Sequence, residues 1–290
     1  MSTNWDLPPL RPGHAADQDL AERRARAGGT FGSGPKPSEI VVGGIRCLVV
    51  EPKGQAALGD ILYLHGGGYR LGSPMAYLGY AQRIAGTSGR RIVLPFYPLA
   101  PEQPFPAAIH AIVAVYRNLP APGSTVIAGD SAGGGLTAAL CILAARAGAS
   151  PAGAILVSPM LDLTAQCGTS LERNAQRDPL FSKQAVLDSA QLYLQGHDPA
   201  DPLVSALNAD PAELPPVMLL VGGAEVLLDE ALEFSRRLAV ADHRLTLHVA
   251  PGMGHVWPLM NPDEPESASA IQSMAAFVNG LKAAPAVHSK

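Results

Sequence analysis

Two glycine-rich turns constrain this chain most, because each closes a short apolar run of β type. Ile61-Leu62-Tyr63-Leu64 runs into His65-Gly66-Gly67-Gly68, and Thr125-Val126-Ile127-Ala128 runs into Gly129-Asp130-Ser131-Ala132-Gly133-Gly134. A short apolar run bounded by turn residues reads as a strand buried on both faces. A small-residue helical stretch, Leu136-Thr137-Ala138-Ala139-Leu140, follows the second turn. Strands alternating with helical stretches from about residue 40 to the end indicate one α/β domain around a buried, mostly parallel sheet.

The second turn is a G-x-S-x-G pattern set between a strand over 124–129 and a helix. In that setting the serine sits on a tight, strained turn with its Oγ exposed at the C-terminal edge of the sheet, and the flanking glycines let strand and helix pass closely. The first turn spends three consecutive glycines where nothing packs, which makes sense where backbone N–H groups must approach a ligand. A flexible turn after a strand is the plain alternative, and Ser131 downstream favours function. The amides of Gly67, Gly68 and Ala132 are the expected oxyanion hole, Ala132 because it follows the nucleophile and opens a helix whose dipole favours negative charge. His65 is expected to organise its loop rather than act as a base.

Where such a serine elbow belongs to an α/β-hydrolase, the chain order is Ser, acid, His. His197, His243, His248, His255 and His288 follow Ser131. His255 lies in the loop Pro251-Gly252-Met253-Gly254-His255, directly after a β-type run at 245–249, and so falls on the same sheet edge as Ser131. His248 lies inside that run and is expected to pack; His243 precedes it, His197 sits in a polar turn and His288 in the tail. The acid should follow the preceding strand, Pro216–Val221. Glu225 comes first on that loop, whereas Asp229 and Glu230 fall near a helix start, where the dipole favours acids anyway.

With these residues in place, the chain resembles the hormone-sensitive-lipase-like bacterial esterases of the α/β-hydrolase superfamily, over roughly 40–281. Tyr97-Pro98-Leu99-Ala100-Pro101-Glu102-Gln103-Pro104-Phe105-Pro106-Ala107-Ala108 is similar to that family's Y-R-L-A-P-E-x-x-F-P-A-A segment, and Ser158-Pro159-Met160-Leu161-Asp162-Leu163 to its S-P-W-x-D-L segment. The family's D-P-L-x-D-E reads here Glu225-Val226-Leu227-Leu228-Asp229-Glu230, so the resemblance maps the family's catalytic aspartate onto Glu225. Pro98 stands where the family has arginine, and Gly135 where asparagine is common. Met253-Gly254-His255-Val256-Trp257-Pro258-Leu259 resembles relatives acting as monoterpene lactone hydrolases or acetyl hydrolases. The resemblance implies an α/β-hydrolase fold with helices on both sheet faces and a small helical cap. It also implies a carboxylic ester hydrolase with Ser131, His255 and Glu225 as triad.

A net charge of −4 with no basic run offers no footprint for nucleic acid, and Gly-Asp-Ser-Ala-Gly-Gly lacks the lysine of a P-loop. Cys47, Cys141 and Cys167 are scattered, with no metal or disulfide spacing, and are expected as buried free thiols. The start Met1-Ser2-Thr3-Asn4-Trp5-Asp6 has no basic or apolar region of a secretory signal, and the longest apolar stretch is too short to span a bilayer, so a cytoplasmic location is expected. Residues 1–38 and 165–205 do not fit the sheet pattern and are expected to pair as a cap over the site; a disordered tail and a surface excursion are the alternative.

The function expected is hydrolysis of short- to medium-chain acyl esters without metal or organic cofactor. The partner is a small-molecule ester or lactone, with homodimerisation left open. A lactone or acetyl hydrolase would use the same site. A non-catalytic receptor on this scaffold would have lost Ser131 or His255.

Overall fold

The computed structural model describes residues 5–27 and 37–281. The strands are β1 (Ser38–Val42), β2 (Ile45–Val50), β3 (Asp60–Leu64), β4 (Arg91–Pro95), β5 (Val126–Asp130), β6 (Gly153–Val157), β7 (Val217–Gly222) and β8 (Leu245–Ala250). The helices are α1 (Gln18–Ala27), α2 (Leu78–Ser88), α3 (Ala107–Arg117), α4 (Ala132–Arg146), α5 (Ser170–Arg173), α6 (Lys183–Leu194), α7 (Leu228–Val240), α8 (Trp257–Met260) and α9 (Pro265–Asn279). One sheet holds all eight strands in the order β1-β2-β4-β3-β5-β6-β7-β8. β1, β2 and β4 pair antiparallel, and every pairing from β4 to β8 is parallel.

The unbroken apolar runs are explained by burial on two faces. Successive strand residues point to opposite sides. Leu62, Leu64, Ile127, Leu156 and Leu219 enter a core shared with α3, α4 and α7. Their neighbours Ile61, Tyr63, Val126, Ala128, Ile155 and Met218 enter a second core with α2 and α9. α4 follows β5 directly and is buried along almost its whole length, which accounts for its lack of an amphipathic stripe. α2 buries Leu78, Ala81, Ile84 and Ala85 at helical spacing and stops at Gly89, whose left-handed backbone returns its N–H to Ala85 O.

Several sequence boundaries shift for local reasons. The strand expected over 124–129 spans Val126–Asp130, because Pro122–Ser124 forms a 3-10 turn before it. The last helix, α9, ends at Asn279, capped by Gly280. β8 is an edge strand, so Leu247 and Val249 stay about two-fifths exposed, at 40% and 39%. His248 is accordingly half-buried rather than packed inside, its ring beside Trp257. Cys47 and Cys141 are buried thiols, but Cys167 is only half-buried.

Of the two segments outside the sheet pattern, the first contributes α1, while its residues 1–4 and 28–36 lie outside the described residues. The second contributes α5 and α6. Arg24 of α1 donates to Arg70 O (2.8 Å) and Ala100 O (2.7 Å) and pairs with Glu102. Among the described residues no helix is long and apolar enough to cross a membrane.

Candidate active site

Register brings the site together. β5 lies between β3 and β6, with Leu64 opposite Gly129 and Asp130 opposite Val157. The glycine loop after β3, the serine turn after β5 and Ser158 after β6 therefore emerge side by side. The loops after β7 and β8 join them, with Gly222 opposite Ala250.

Ser131 has φ 53° and ψ −122°, an unfavourable conformation for a residue with a Cβ. Its N–H donates to Val157 O (2.9 Å), and its carbonyl accepts from Met160 N–H (2.9 Å) and Gly134 N–H (2.9 Å). A Cβ at Gly129 would meet Gly133 O at 2.3 Å, and one at Gly133 would meet Leu64 O at 2.0 Å. The second glycine thus makes room for the end of β3 rather than for β5.

Ser131 Oγ lies 2.9 Å from His255 Nε2, and His255 Nδ1 lies 3.1 Å from Glu225 Oε2. Glu225 is fully buried. Its other oxygen, Oε1, accepts from Ser158 Oγ (2.6 Å) and from Gly222 N–H (2.5 Å). Ser158 Oγ in turn accepts from Val256 N–H (3.0 Å), tying the histidine loop to the acid loop. Asn174 and Asp178 hold the acid loop from the other side, donating to Glu225 O and accepting from Val226 N–H. Phe181 stacks on the His255 ring with centroids 4.8 Å apart.

Asp229 is elsewhere. Its carboxylate accepts from Thr169 and Ser170 N–H at the start of α5 and pairs with Arg173 (2.7 Å). Glu230 is buried and accepts from Leu161 N–H. His243 and His197 bond to Pro215 O and Asp201, away from the serine, and His288 lies outside the described residues.

Burial disfavours the His255 imidazolium, but the hydrogen bond and charge of Glu225, with Asp178 and Asp130, outweigh it and raise its pKa above the ordinary 6.5. Burial also raises the Glu225 carboxyl, against the opposing pull of His255, Ser158 and Gly222.

The glycine loop turns through left-handed backbone at Gly67 (φ 117°) and Gly68 (φ 60°). Arg70 and Leu71 N–H donate to Gly67 O, fixing the loop, while among the described residues the amides of Gly67, Gly68 and Ala132 donate to no protein acceptor. His65 is buried and kept neutral, its pKa pushed down to about 4 by desolvation. It bonds Gly66 O at 2.7 Å and stacks on Tyr97, as a loop-organising residue would.

Beneath the loop lies Asp130, the residue before Ser131. Its carboxylate accepts from Tyr63 OH (3.0 Å), Tyr77 OH (2.9 Å) and Gly66 N–H (3.1 Å). Burial raises its pKa to about 6 despite these donors. Asp130→Ala should leave the Tyr63 and Tyr77 hydroxyls without their acceptor, Gly66 N–H keeping Tyr77 OH (2.9 Å), and cost about 2 kcal/mol or more, read as a lowered urea midpoint. An unchanged midpoint would show that the network stabilises nothing.

Ser131, His255, Asp130 and the Gly66–Gly68 loop line a cavity of about 360 Å³ with Tyr77, Leu180, Phe181, Ser189, Val256 and Met260.

The fold, the serine turn and the facing glycine loop define a hydrolase of the α/β class. A family model described as alpha/beta hydrolase fold matches residues 61–259, and the chain belongs to that family. An acetyl-hydrolase of Streptomyces hygroscopicus is 36% identical over 96% of this chain and 93% of its own. An esterase of Acinetobacter venetianus is 35% identical over 80% and 78%. A crystal structure of a hormone-sensitive lipase from a metagenome library superposes with a TM-score of 0.84 at 33% identity, covering 91% of this chain and 92% of that one. The chain is similar to these bacterial hormone-sensitive-lipase-like enzymes over most of its length.

Proposed function

We propose that this chain is a serine carboxylic ester hydrolase acting on short- to medium-chain acyl esters in the cytoplasm. One observation carries the reading: Ser131, His255 and Glu225 form a continuous hydrogen-bonded chain at a cavity whose wall also presents unengaged backbone amides. His255 Nε2 takes the Ser131 proton as Oγ attacks the ester carbonyl. The amides of Gly67, Gly68 and Ala132 receive the charge that develops on the carbonyl oxygen. His255 then protonates the leaving alcohol, and a water deprotonated by His255 releases the acid. Glu225 keeps the His255 proton on Nδ1 and stabilises the imidazolium.

The domain reading belongs to the same proposal: one α/β-hydrolase domain, with segments 1–38 and 165–205 as its cap. Arg23 of α1 and Ala185 and Ser189 of α6 on the cavity wall support it. The acetyl-hydrolase relative favours the short end of the acyl range. A lactone would use the same groups, with the alcohol remaining tethered to the acyl chain.

A panel of p-nitrophenyl esters from acetate to palmitate, with simple lactones, tests the substrate class. Butyrate and shorter esters should turn over fastest. Faster palmitate turnover with activation at an emulsion surface would reverse the length assignment, and inactivity on every ester would remove the function.

The acid limb supplies a second check. His255 must be neutral to accept the serine proton, so kcat/KM should fall as pH drops through its pKa. That pKa is raised, so the limb should lie above about 6.5. A limb well below this value would contradict the Glu225–His255 pairing as the cause.

A further inference from the structure

We infer that the cavity carries a subsite for a carboxylate on the substrate, built from Arg70 with Arg23, so that the preferred esters are anionic ones. The inference rests on the ester-hydrolase reading and adds a substrate class to it.

Arg70 is only 7% exposed, yet among the described residues no carboxylate lies within ion-pair distance of it. Its Nε donates to Ser189 Oγ at 3.3 Å. Its two terminal nitrogens have no protein partner among the described residues. Arg70 lines the cavity, and its planar fork of free N–H groups matches a carboxylate. Its position is close to the chemistry: Arg70 Nε lies 3.7 Å from where a Cβ on Gly68 would sit.

Arg23 of α1 lines the same cavity. Its ion-pair partner among the described residues, Asp19, is solvent-exposed and 3.8 Å away. Burial and the nearby Arg23 charge both lower the Arg70 pKa, with Asp188, Asp19 and Asp17 opposing. None of those three bonds to Arg70; Asp17 and Asp19 are exposed and Asp188 is held by Gln184. Among the described residues the one carboxylate on the cavity wall is Asp130, already engaged by Tyr63, Tyr77 and Gly66. The wall therefore presents two cations against one saturated anion. A neutral alkyl ester leaves that charge unanswered; a carboxylate a few atoms from the scissile bond satisfies it. The carboxylate takes no part in the bond changes, in which the Ser131 Oγ–acyl bond forms, the ester C–O bond breaks and the proton passes to the leaving alcohol.

The test compares kcat/KM for charged and uncharged members of matched pairs. Mono-p-nitrophenyl adipate against its methyl ester places the carboxylate on the acyl side. p-Acetoxybenzoate against methyl p-acetoxybenzoate places it on the alcohol side. In Arg70→Gln the charged-to-neutral ratio should fall about 10- to 100-fold in one arm, with Arg70→Lys recovering part of it. In Arg23→Gln, a change on a half-buried helix position that keeps the core intact, it should fall about 3- to 10-fold. In the wild type, added salt should raise KM for the charged ester and leave the neutral one unmoved. A ratio unchanged in both arms, including an equal loss on both members, makes Arg70 a structural residue and overturns the subsite while ester hydrolysis stands. A wild type inactive on all four esters overturns the reading beneath it instead.

Discussion

Ser131→Ala should reduce ester hydrolysis by about 10⁵- to 10⁶-fold, to whatever rate the oxyanion amides and binding alone sustain. Oγ is the atom that bonds to the acyl group, and no other hydroxyl lies against His255 Nε2 among the described residues. The fold should survive. The backbone at this turn is held by Val157 O, Met160 N–H and Gly134 N–H, none of which touches the side chain. Alanine keeps the same Cβ and thus the same strain at φ 53°. Unfolding in urea should move by no more than about 1 kcal/mol. Retained activity in a correctly folded variant would eliminate Ser131 as nucleophile.

Glu225→Gln should cost about 10⁴-fold in kcat with little change in KM, the size of effect seen when a triad acid becomes an amide. The surroundings dictate how the glutamine sits. Ser158 Oγ and Gly222 N–H both donate to the Oε1 position, so the amide oxygen belongs there. The NH₂ group then faces His255 Nδ1, where Oε2 was. An amide donor at that place forces the ring proton onto Nε2, the atom that must accept from Ser131. The base is present but in the wrong tautomer. Asp229→Asn should reduce kcat only a few-fold, because Asp229 caps α5 and pairs with Arg173 rather than facing the imidazole. The reverse order of effects would transfer the acid role to Asp229.

The sheet was readable because its strands are buried on both faces: 61–64 and 217–221 leave no alternation to misread and lead into glycine-rich turns. β8 was readable only in part. An edge strand has one neighbour, so its run alternates weakly and His248 has room to remain half-exposed. Proximity of Ser131, His255 and Glu225 was inferable because each follows a parallel strand and parallel strands share a C-terminal edge. Glu225 is favoured over Asp229 by its place on the loop, by the nearness of Asp229 to a helix start and by the D-P-L-x-D-E resemblance.

The groups that hold those side chains were not readable. Ser158 stands out only through the resemblance of its segment to S-P-W-x-D-L; that its hydroxyl meets Glu225 follows only once β6 is known to lie between β5 and β7. Asp130 reads as a turn residue until Tyr63 and Tyr77, from β3 and the turn before α2, converge on it. Phe181 reaches His255 from a loop with no periodic signal. Arg70 is invisible as a cavity group, since an arginine after a glycine loop is ordinarily solvated. In each case the missing information is a long-range contact, and nothing local encodes it.

The central claim is that Ser131 is the one activated nucleophile of this chain. Treatment with a p-nitrophenyl alkylphosphonate, followed by intact mass and peptide mapping, tests it most directly. The expected result is one equivalent of p-nitrophenolate released and one adduct on the peptide containing Ser131, with labelling much slowed in His255→Ala and absent in Ser131→Ala. An adduct on any other residue, or undiminished labelling of Ser131→Ala, would contradict it.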